Sequence, residues 1–249
     1  MPGDASSSPS ADRDAAQDAE RPALGTEAVA TVLSVEFKVG RPPSNSGASR
    51  GRAIGAGGEA VKIHLSDGSS YILHSEAWER ARLSSGSPLD PETLSRLLNR
   101  SELIFARRRA LALISRAPQT RLGLALKLAA RGFGPNAVRH AIARMTSLGY
   151  LDDRAFAEAW VRSRLASRGD GWKALYRGLI GRGVPRKVAG EVADELYPAG
   201  EEAACARRLA AGLSAAAAMR RLSMRGFRSR AIALVLRELR GKGQPREEE

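Results

Sequence analysis

Beginning at Ala30, the hydrophobic pattern has a period of two: Thr31, Leu33, Val35, Phe37 and Val39 alternate with mostly polar neighbours, as a half-buried strand requires. A Gly/Ser/Pro/Arg-rich stretch from Gly40 to Gly58 interrupts it. Two further alternating runs, Val61-Lys-Ile-His-Leu65 and Ser70-Tyr-Ile-Leu-His74, then flank Asp67-Gly68, a dipeptide that favours a tight hairpin turn. Residues 29–75 are therefore expected to form a small antiparallel β region of about three strands with a flexible insertion at 40–58. So few strands are marginal alone in water, so they must pack on the helices C-terminal to them.

From residue 75 onward the pattern is helical. Ser75-Glu-Ala-Trp78 can cap a short helix ending near Leu83, and Asp90-Pro91-Glu92 reads as a helix start, with Asp as cap and Pro in the first turn. These belong to connecting helices over residues 76–101, and the pattern leaves open whether the second breaks near Ser101. Beyond Thr120 the units become regular. Leu128-x-x-Arg131-Gly132-Phe133 returns as Leu179-x-x-Arg182-Gly183-Val184 and again as Leu222-x-x-Arg225-Gly226-Phe227. Each copy closes one helical pattern and opens another, with glycine as the left-handed stop. The recurrence predicts three consecutive three-helix repeats, at residues 102–150, 151–198 and 199–240, with a polar tail at 241–249. The expected class is mainly α: tandem three-helix repeats forming an elongated curved array, preceded by the small antiparallel β region.

Composition sharpens this picture in two ways. Hydrophobic residues make up 43% of the 249 positions but aromatics only 5%, so the core must come from Leu, Ala, Val and Ile, which suits packed helices. The formal net charge is +13 and the sequence pI near 10.9, which favours an anionic partner such as nucleic acid or an acidic protein face. The positive charge lies between acidic ends: residues 1–28 read as a disordered acidic leader, and the chain closes on Arg246-Glu-Glu-Glu249. No apolar run is long enough for a membrane span and the start does not read as a signal peptide, so a cytoplasmic protein is expected.

Candidate chemistry is sparse. His64, His74 and His140 are scattered, with no HExxH or CxxC pattern, and His64 and His74 are expected at the surface of the hairpin. Cys205 sits in an Ala-rich helix and reads as a small core residue. Gly55-Ala-Gly57-Gly58 lacks the Lys-Ser/Thr of a phosphate-binding loop. No catalytic, cofactor-binding or metal-ligating residue is assigned, and no enzyme is expected. Asp152 is read as a helix cap and Asp153 as a first-turn acid favoured by the helix dipole. Tyr150 and Phe156 are expected to pack at the seam between the first two repeats, with Trp160 on the buried side of its helix and Gly132, Gly149, Gly183 and Gly226 as the stops.

Basic residues occur at helical spacing outside the core stripes. Arg131, Arg182 and Arg225 precede the stop glycines, where a cation meets the helix C-terminus favourably. The remaining surplus supplies the candidates for a filament or DNA surface. In the first repeat these are Arg139 and Arg144, with Arg131 counted among them. The second contributes Arg162, Arg164, Arg168, Lys173, Arg177, Arg186 and Lys187, and the third Arg220, Arg221, Arg228 and Arg230. Aromatics for stacking on bases look too few for base reading.

The run Leu148-Gly-Tyr-Leu-Asp-Asp-Arg-Ala-Phe-Ala157, followed by Trp160-Val161-Arg162-Ser163-Arg164, resembles the signature of the RecX family of bacterial recombination regulators. The repeated Arg-Gly-Phe/Val helix ends match that family's tandem three-helix repeats, and the likeness covers residues from roughly 90 to 240. Departures are the acidic leader, the insertion at 40–58, and Trp160 where the family commonly carries Tyr. The resemblance implies a protein without catalytic residues that lodges along the RecA recombinase filament and restrains its ATPase, strand exchange and SOS co-protease activities. The implied partners are the RecA filament and single- or double-stranded DNA, with no membrane, and the chain is expected as a monomer. Charge alone leaves two other readings open: a sequence-independent DNA-binding or architectural protein, and a helical adaptor for an acidic protein.

Overall fold

The computed structural model describes residues 29–38 and 60–241. The expected acidic leader, Val39, the 40–58 insertion and residues 242–249 of the tail lie outside the described residues. Strands β1 (Ala30–Lys38), β2 (Ala60–Leu65), β3 (Ser70–His74) and the short β4 (Pro88–Leu89) form an antiparallel sheet in the order β3-β2-β1-β4. The sheet thus has one strand more than the pattern predicts. The phase of β1 also differs: Val32 is buried opposite Leu65, an irregularity separates Val32 from Ser34, and Val35 then faces Ile63. That extra residue leaves Leu33 turned outward, 59% exposed. Phe37 is in phase with Val35 but lies beyond the two residues that pair with β4, and it too is exposed.

Helix α1 (Ser75–Ala81) starts directly from β3. Its cap is His74 rather than Ser75: the imidazole Nδ1 accepts the Glu76 N–H at 3.0 Å. His74 is fully buried against Phe105, ring centroids 5.1 Å apart, and is not the surface residue expected. Helix α2 (Pro91–Ile114) is continuous through Ser101, whose buried hydroxyl accepts the His74 N–H at 2.6 Å. The expected boundary at 101/102 therefore falls inside a helix. Leu97 and Ile104 of α2 enter the sheet's core with Val61, Ile63, Leu73 and Trp78, whereas Phe105, Ala106, Ala110 and Leu113 enter the next one.

Eight further helices continue the chain: α3 (Arg121–Ala129), α4 (Pro135–Ser147), α5 (Asp153–Arg168), α6 (Trp172–Ile180), α7 (Arg186–Leu196), α8 (Ala199–Ala210), α9 (Ala215–Met224) and α10 (Ser229–Gly241). Their caps agree with the sequence: Thr120 accepts from Gly123 N–H, Asp152 from Arg154 and Ala155 N–H, and Ser214 from Ala217 N–H. The three recurring stops have one geometry. Phe133, Val184 and Phe227 donate their N–H groups back to Leu128, Leu179 and Leu222, and Gly132, Gly183 and Gly226 sit at positive φ. This Schellman closure buries the residue after the glycine. Helices α2, α3 and α4 enclose a core of Phe105, Leu124, Leu128, Phe133 and Met145, closed by Leu151. Helices α5 to α10 instead share one continuous core, with Val161, Leu175 and Leu179 alongside Ala206, Leu222 and Phe227. Cys205 is buried within it.

The stop motifs do more than end helices. At the seam between α3 and α6, Thr120 Oγ1 donates to the Arg182 carbonyl at 2.6 Å, and a Cβ on Gly183 would approach Leu122 Cβ to 2.8 Å. Between α6 and α9, the N–H groups of Gly171 and Lys173 donate to the carbonyls of Arg225 and Gly226 at 2.9 and 2.8 Å. In the first and second repeats the N-terminus of the middle helix therefore abuts the Arg-Gly stop of the following repeat. Two buried acids complete the seams. Asp153 accepts the Arg121 N–H at 2.9 Å, and Glu202, fully buried, accepts Trp172 N–H at 3.0 Å and Arg228 N–H at 2.9 Å. Both acids reach across to a neighbouring repeat's helix, beyond the first-turn roles their sequence positions suggest. Tyr150, by contrast, is 53% exposed and takes no part in the seam, and Phe156 is half-buried on the shared core.

Substitutions at the seam test its energetic weight. A Cβ on Gly171 would lie 2.3 Å from Phe227 N, whereas one on Gly200 meets nothing within 4 Å. Gly171→Ala is therefore expected to cost about 1–3 kcal/mol in denaturant unfolding, and Gly200→Ala to lose nothing. Glu202→Ala, which strips three donors of their acceptor, is expected to cost about 3 kcal/mol; an unchanged transition would show the seam to be dispensable.

Candidate functional site

Where the candidate cations end up separates them into two groups. Several are committed within the fold. Arg162 pairs with Glu158 at 3.1 Å, and Arg164 with Asp170 at 3.4 Å. Arg228 is bound to Glu202, to Asp194 at 3.0 Å and to the Tyr197 carbonyl. Its guanidinium is thus spent within this network, although 27% of the side chain stays exposed. Lys173 donates to Ser229 Oγ at 3.3 Å and Arg177 to the Lys173 carbonyl. Arg131 and Arg182 each donate to the carbonyl four residues earlier, Lys127 and Gly178, so their recurrence has the helix-end role expected of it. Arg168 lies in α5, and Arg225 is also engaged within the fold.

The second group is exposed and makes no ion pair among the described residues: Arg139, Arg144, Arg186, Lys187, Arg220, Arg221 and Arg230. Arg109, not singled out by the sequence, joins them in a different way. Partial burial, and then the positive field of Arg131 and Arg116, hold its guanidinium pKa below the usual arginine range. Its Nε is buried without a hydrogen-bond partner. The end of α2 and the end of α3 thus bring three like charges together, a concentration of positive potential that an anion would relieve.

Two tryptophans organise the surface of the second repeat. The Trp160 ring lies under the Arg182 and Arg164 guanidinium groups, at 4.6 and 5.4 Å, and rests on Gly178, where a Cβ would come within 2.4 Å of the ring. Trp172 stacks on Tyr176, centroids 5.2 Å apart and planes 6° from parallel, with Arg228 5.3 Å from its ring. Large apolar side chains also stand exposed beside cations. Leu126 is 62% exposed on α3, and Met219 and Met224 are 52% and 86% exposed on α9, whose Arg220 and Arg221 are among the unpaired cations. Among the described residues no three His, Cys, Asp or Glu side chains are grouped to hold a metal, and no helix is long and apolar enough to cross a membrane.

Comparison with known proteins places this arrangement. The profile of the RecX first three-helix domain matches residues 106–145, and that of the second matches residues 152–192. A regulatory protein RecX from Thermobifida fusca is 39% identical over 155 residues, covering 57% of this chain and 84% of the relative. The chain belongs to the RecX family. A regulatory protein RecX from Thermus thermophilus is 43% identical over 119 residues, covering 47% of this chain and 80% of its own. Two crystal structures share the fold. A regulatory protein RecX has a TM-score of 0.53 at 18% identity, over 87% of this chain and 95% of its own. RecX from Lactobacillus salivarius has a TM-score of 0.52 at 21% identity, over 56% of this chain and 97% of its own. The RecX first domain maps onto the end of α2 with α3 and α4, and the second onto α5, α6 and most of α7.

Sequence reasoning missed Glu202, Arg109 and the Trp172–Tyr176 pair, and gave Asp153 only its first-turn role. The pair was visible as two aromatics four residues apart on one helix face. The acids were visible only as the early residues of each repeat's first helix, a position that does not reveal which helix they cap. The two groups of arginines predict different outcomes. Arg220→Ala and Arg221→Ala are each expected to lower the salt slope of DNA or filament binding by about one while leaving melting unchanged. Arg228→Ala is expected to lower the melting temperature instead; a stable variant with a reduced salt slope would return Arg228 to the binding surface.

Proposed function

We propose that this chain is a non-enzymatic regulatory protein that binds the RecA recombinase on DNA and restrains it, limiting ATP hydrolysis, strand exchange and the SOS co-protease activity. Its relatives carry the name regulatory protein RecX at 39–43% identity, and the first supporting line is this kinship. The observation that carries the reading beyond charge is α9, where exposed Met219 and Met224 flank Arg220 and Arg221, which make no ion pair among the described residues. Phosphate contacts need only cations; adaptable apolar side chains among them suit a protein face. A nucleoprotein filament offers both kinds of surface. The alternative, a DNA-binding protein without a recombinase partner, draws on the net charge of +13 alone and leaves those methionines without a role.

The test is the DNA-dependent ATPase of RecA titrated with this protein. Inhibition is expected at fewer copies than RecA protomers, because a protein acting along a filament affects many subunits. An ATPase untouched at saturation, together with tight salt-sensitive binding to bare DNA, would favour the DNA-binding alternative.

A further inference from the structure

Helix α6 and the turn from α9 into α10 enclose an open cleft of about 380 Å³, lined by Trp172, Lys173, Tyr176 and Arg177 on one side and by Gly226, Phe227, Ser229 and Ile232 on the other. The cleft brings three features together. Its aromatic wall is the parallel Trp172–Tyr176 stack, both rings half-buried and so showing part of their surface to the cleft. The Trp172 indole Nε1, a hydrogen-bond donor, is buried without a partner. Lys173 and Arg177, exposed on the same helix, stand at its edge. No carboxylate lines the cleft.

We propose that this cleft is a stacking subsite for one base of a single-stranded nucleic acid, with the adjoining phosphates held by Lys173 and Arg177. A flat, parallel aromatic pair offers a surface to any base, because every base has a π face. On the helix that carries the rings each cation directly follows one of them, Lys173 after Trp172 and Arg177 after Tyr176, matching a ligand that is planar at one end and anionic at the other. Lys173 and Arg177 are held only by neutral oxygens, Ser229 Oγ and the Lys173 carbonyl. Their charges are therefore uncompensated by any ion pair among the described residues. In a duplex each base's faces are covered by its stacked neighbours, so the ligand is an unpaired strand. The cleft lies where the second and third repeats meet, and Gly226, which lines it, is the glycine that docks on Ala174. The site thus exists only in the assembled pair of repeats. The subsite stands independently of any recombinase.

The experiment needs only the full chain and two oligonucleotides of equal length: oligothymidylate, and the same backbone with every base removed. Both carry identical phosphate charge, so anisotropy of a labelled end at one salt concentration isolates the base. Oligothymidylate is expected to bind about tenfold tighter than the abasic strand, the lower part of the range for one stacked base. Equal affinities, or no binding to either strand at low salt, would overturn the subsite. Tyr176→Phe keeps the ring and should keep the preference. Tyr176→Ala, checked for an unchanged far-UV spectrum and melting temperature, should abolish it while abasic binding stays constant. If Tyr176→Ala weakened both strands equally, or the tenfold preference survived in a folded Tyr176→Ala, the stack would not be the base contact. A preference for duplex over single strand would equally rule the proposal out. None of these readings involves ATPase inhibition, so the subsite and the regulatory role fail separately.

Discussion

A glycine that must not carry a side chain sets the terms for half of this molecule. At Gly171 the chain passes so close to Phe227 that a Cβ would reach 2.3 Å from its backbone nitrogen. That contact lets the second and third repeats share one core, but it also removes the side chain that would ordinarily cap α6, and no side chain of its own caps that helix. The Trp172 N–H would then face a dry interface with no acceptor, a cost of about 1–3 kcal/mol. Glu202 supplies the acceptor from the next repeat, and Arg228 compensates the buried carboxylate from the turn before α10. Close approach, glycine, missing cap and imported acid form one causal sequence. At the α3–α6 seam the approach is looser, Thr120 remains to cap its own helix, and the imported acid, Asp153, takes only the first N–H.

This coupling explains which parts of the fold were legible in the sequence. Helix ends were, because caps and stops are local: Thr120, Asp152 and Ser214 cap where their spacing places them, and Gly132, Gly183 and Gly226 adopt the positive φ expected. The three-helix grouping came from the repetition of those signals, and the RecX resemblance from the run around Gly149–Phe156. What escaped was decided by partners distant in sequence. His74 looked like a strand-end surface residue, yet burial against Phe105 and Ser101, about thirty positions away, turned it into a cap. The outward turn of Leu33 depends on one extra residue in β1, which alternation alone cannot locate.

For the candidate cations, position was legible in the sequence but partnership was not. Helical spacing found the arginines, yet nothing in that spacing distinguishes Arg221, which makes no ion pair among the described residues, from Arg228, which pairs with Glu202 and Asp194. The distinction depends on carboxylates 26 and 34 residues away. Aromatic residues are only 5% of the chain, and composition does not show that Trp172 and Tyr176 stack on one helix face.

Helix α2 has a mechanical consequence. Its 24 residues make a rod about 36 Å long, clamped at one end in the sheet's core and at the other in the first repeat's core. A rod held in two places resists bending at both, so a load on the strands reaches α3 and α4 as a rotation of the whole front half. The back half, α5 to α10, has a single interior and behaves as one block. Between the halves run the polar contacts of Asp153 and Thr120 and the close approach of Gly183 to Leu122. Flexure is expected to concentrate there, giving a molecule with two stiff arms and one compliant joint.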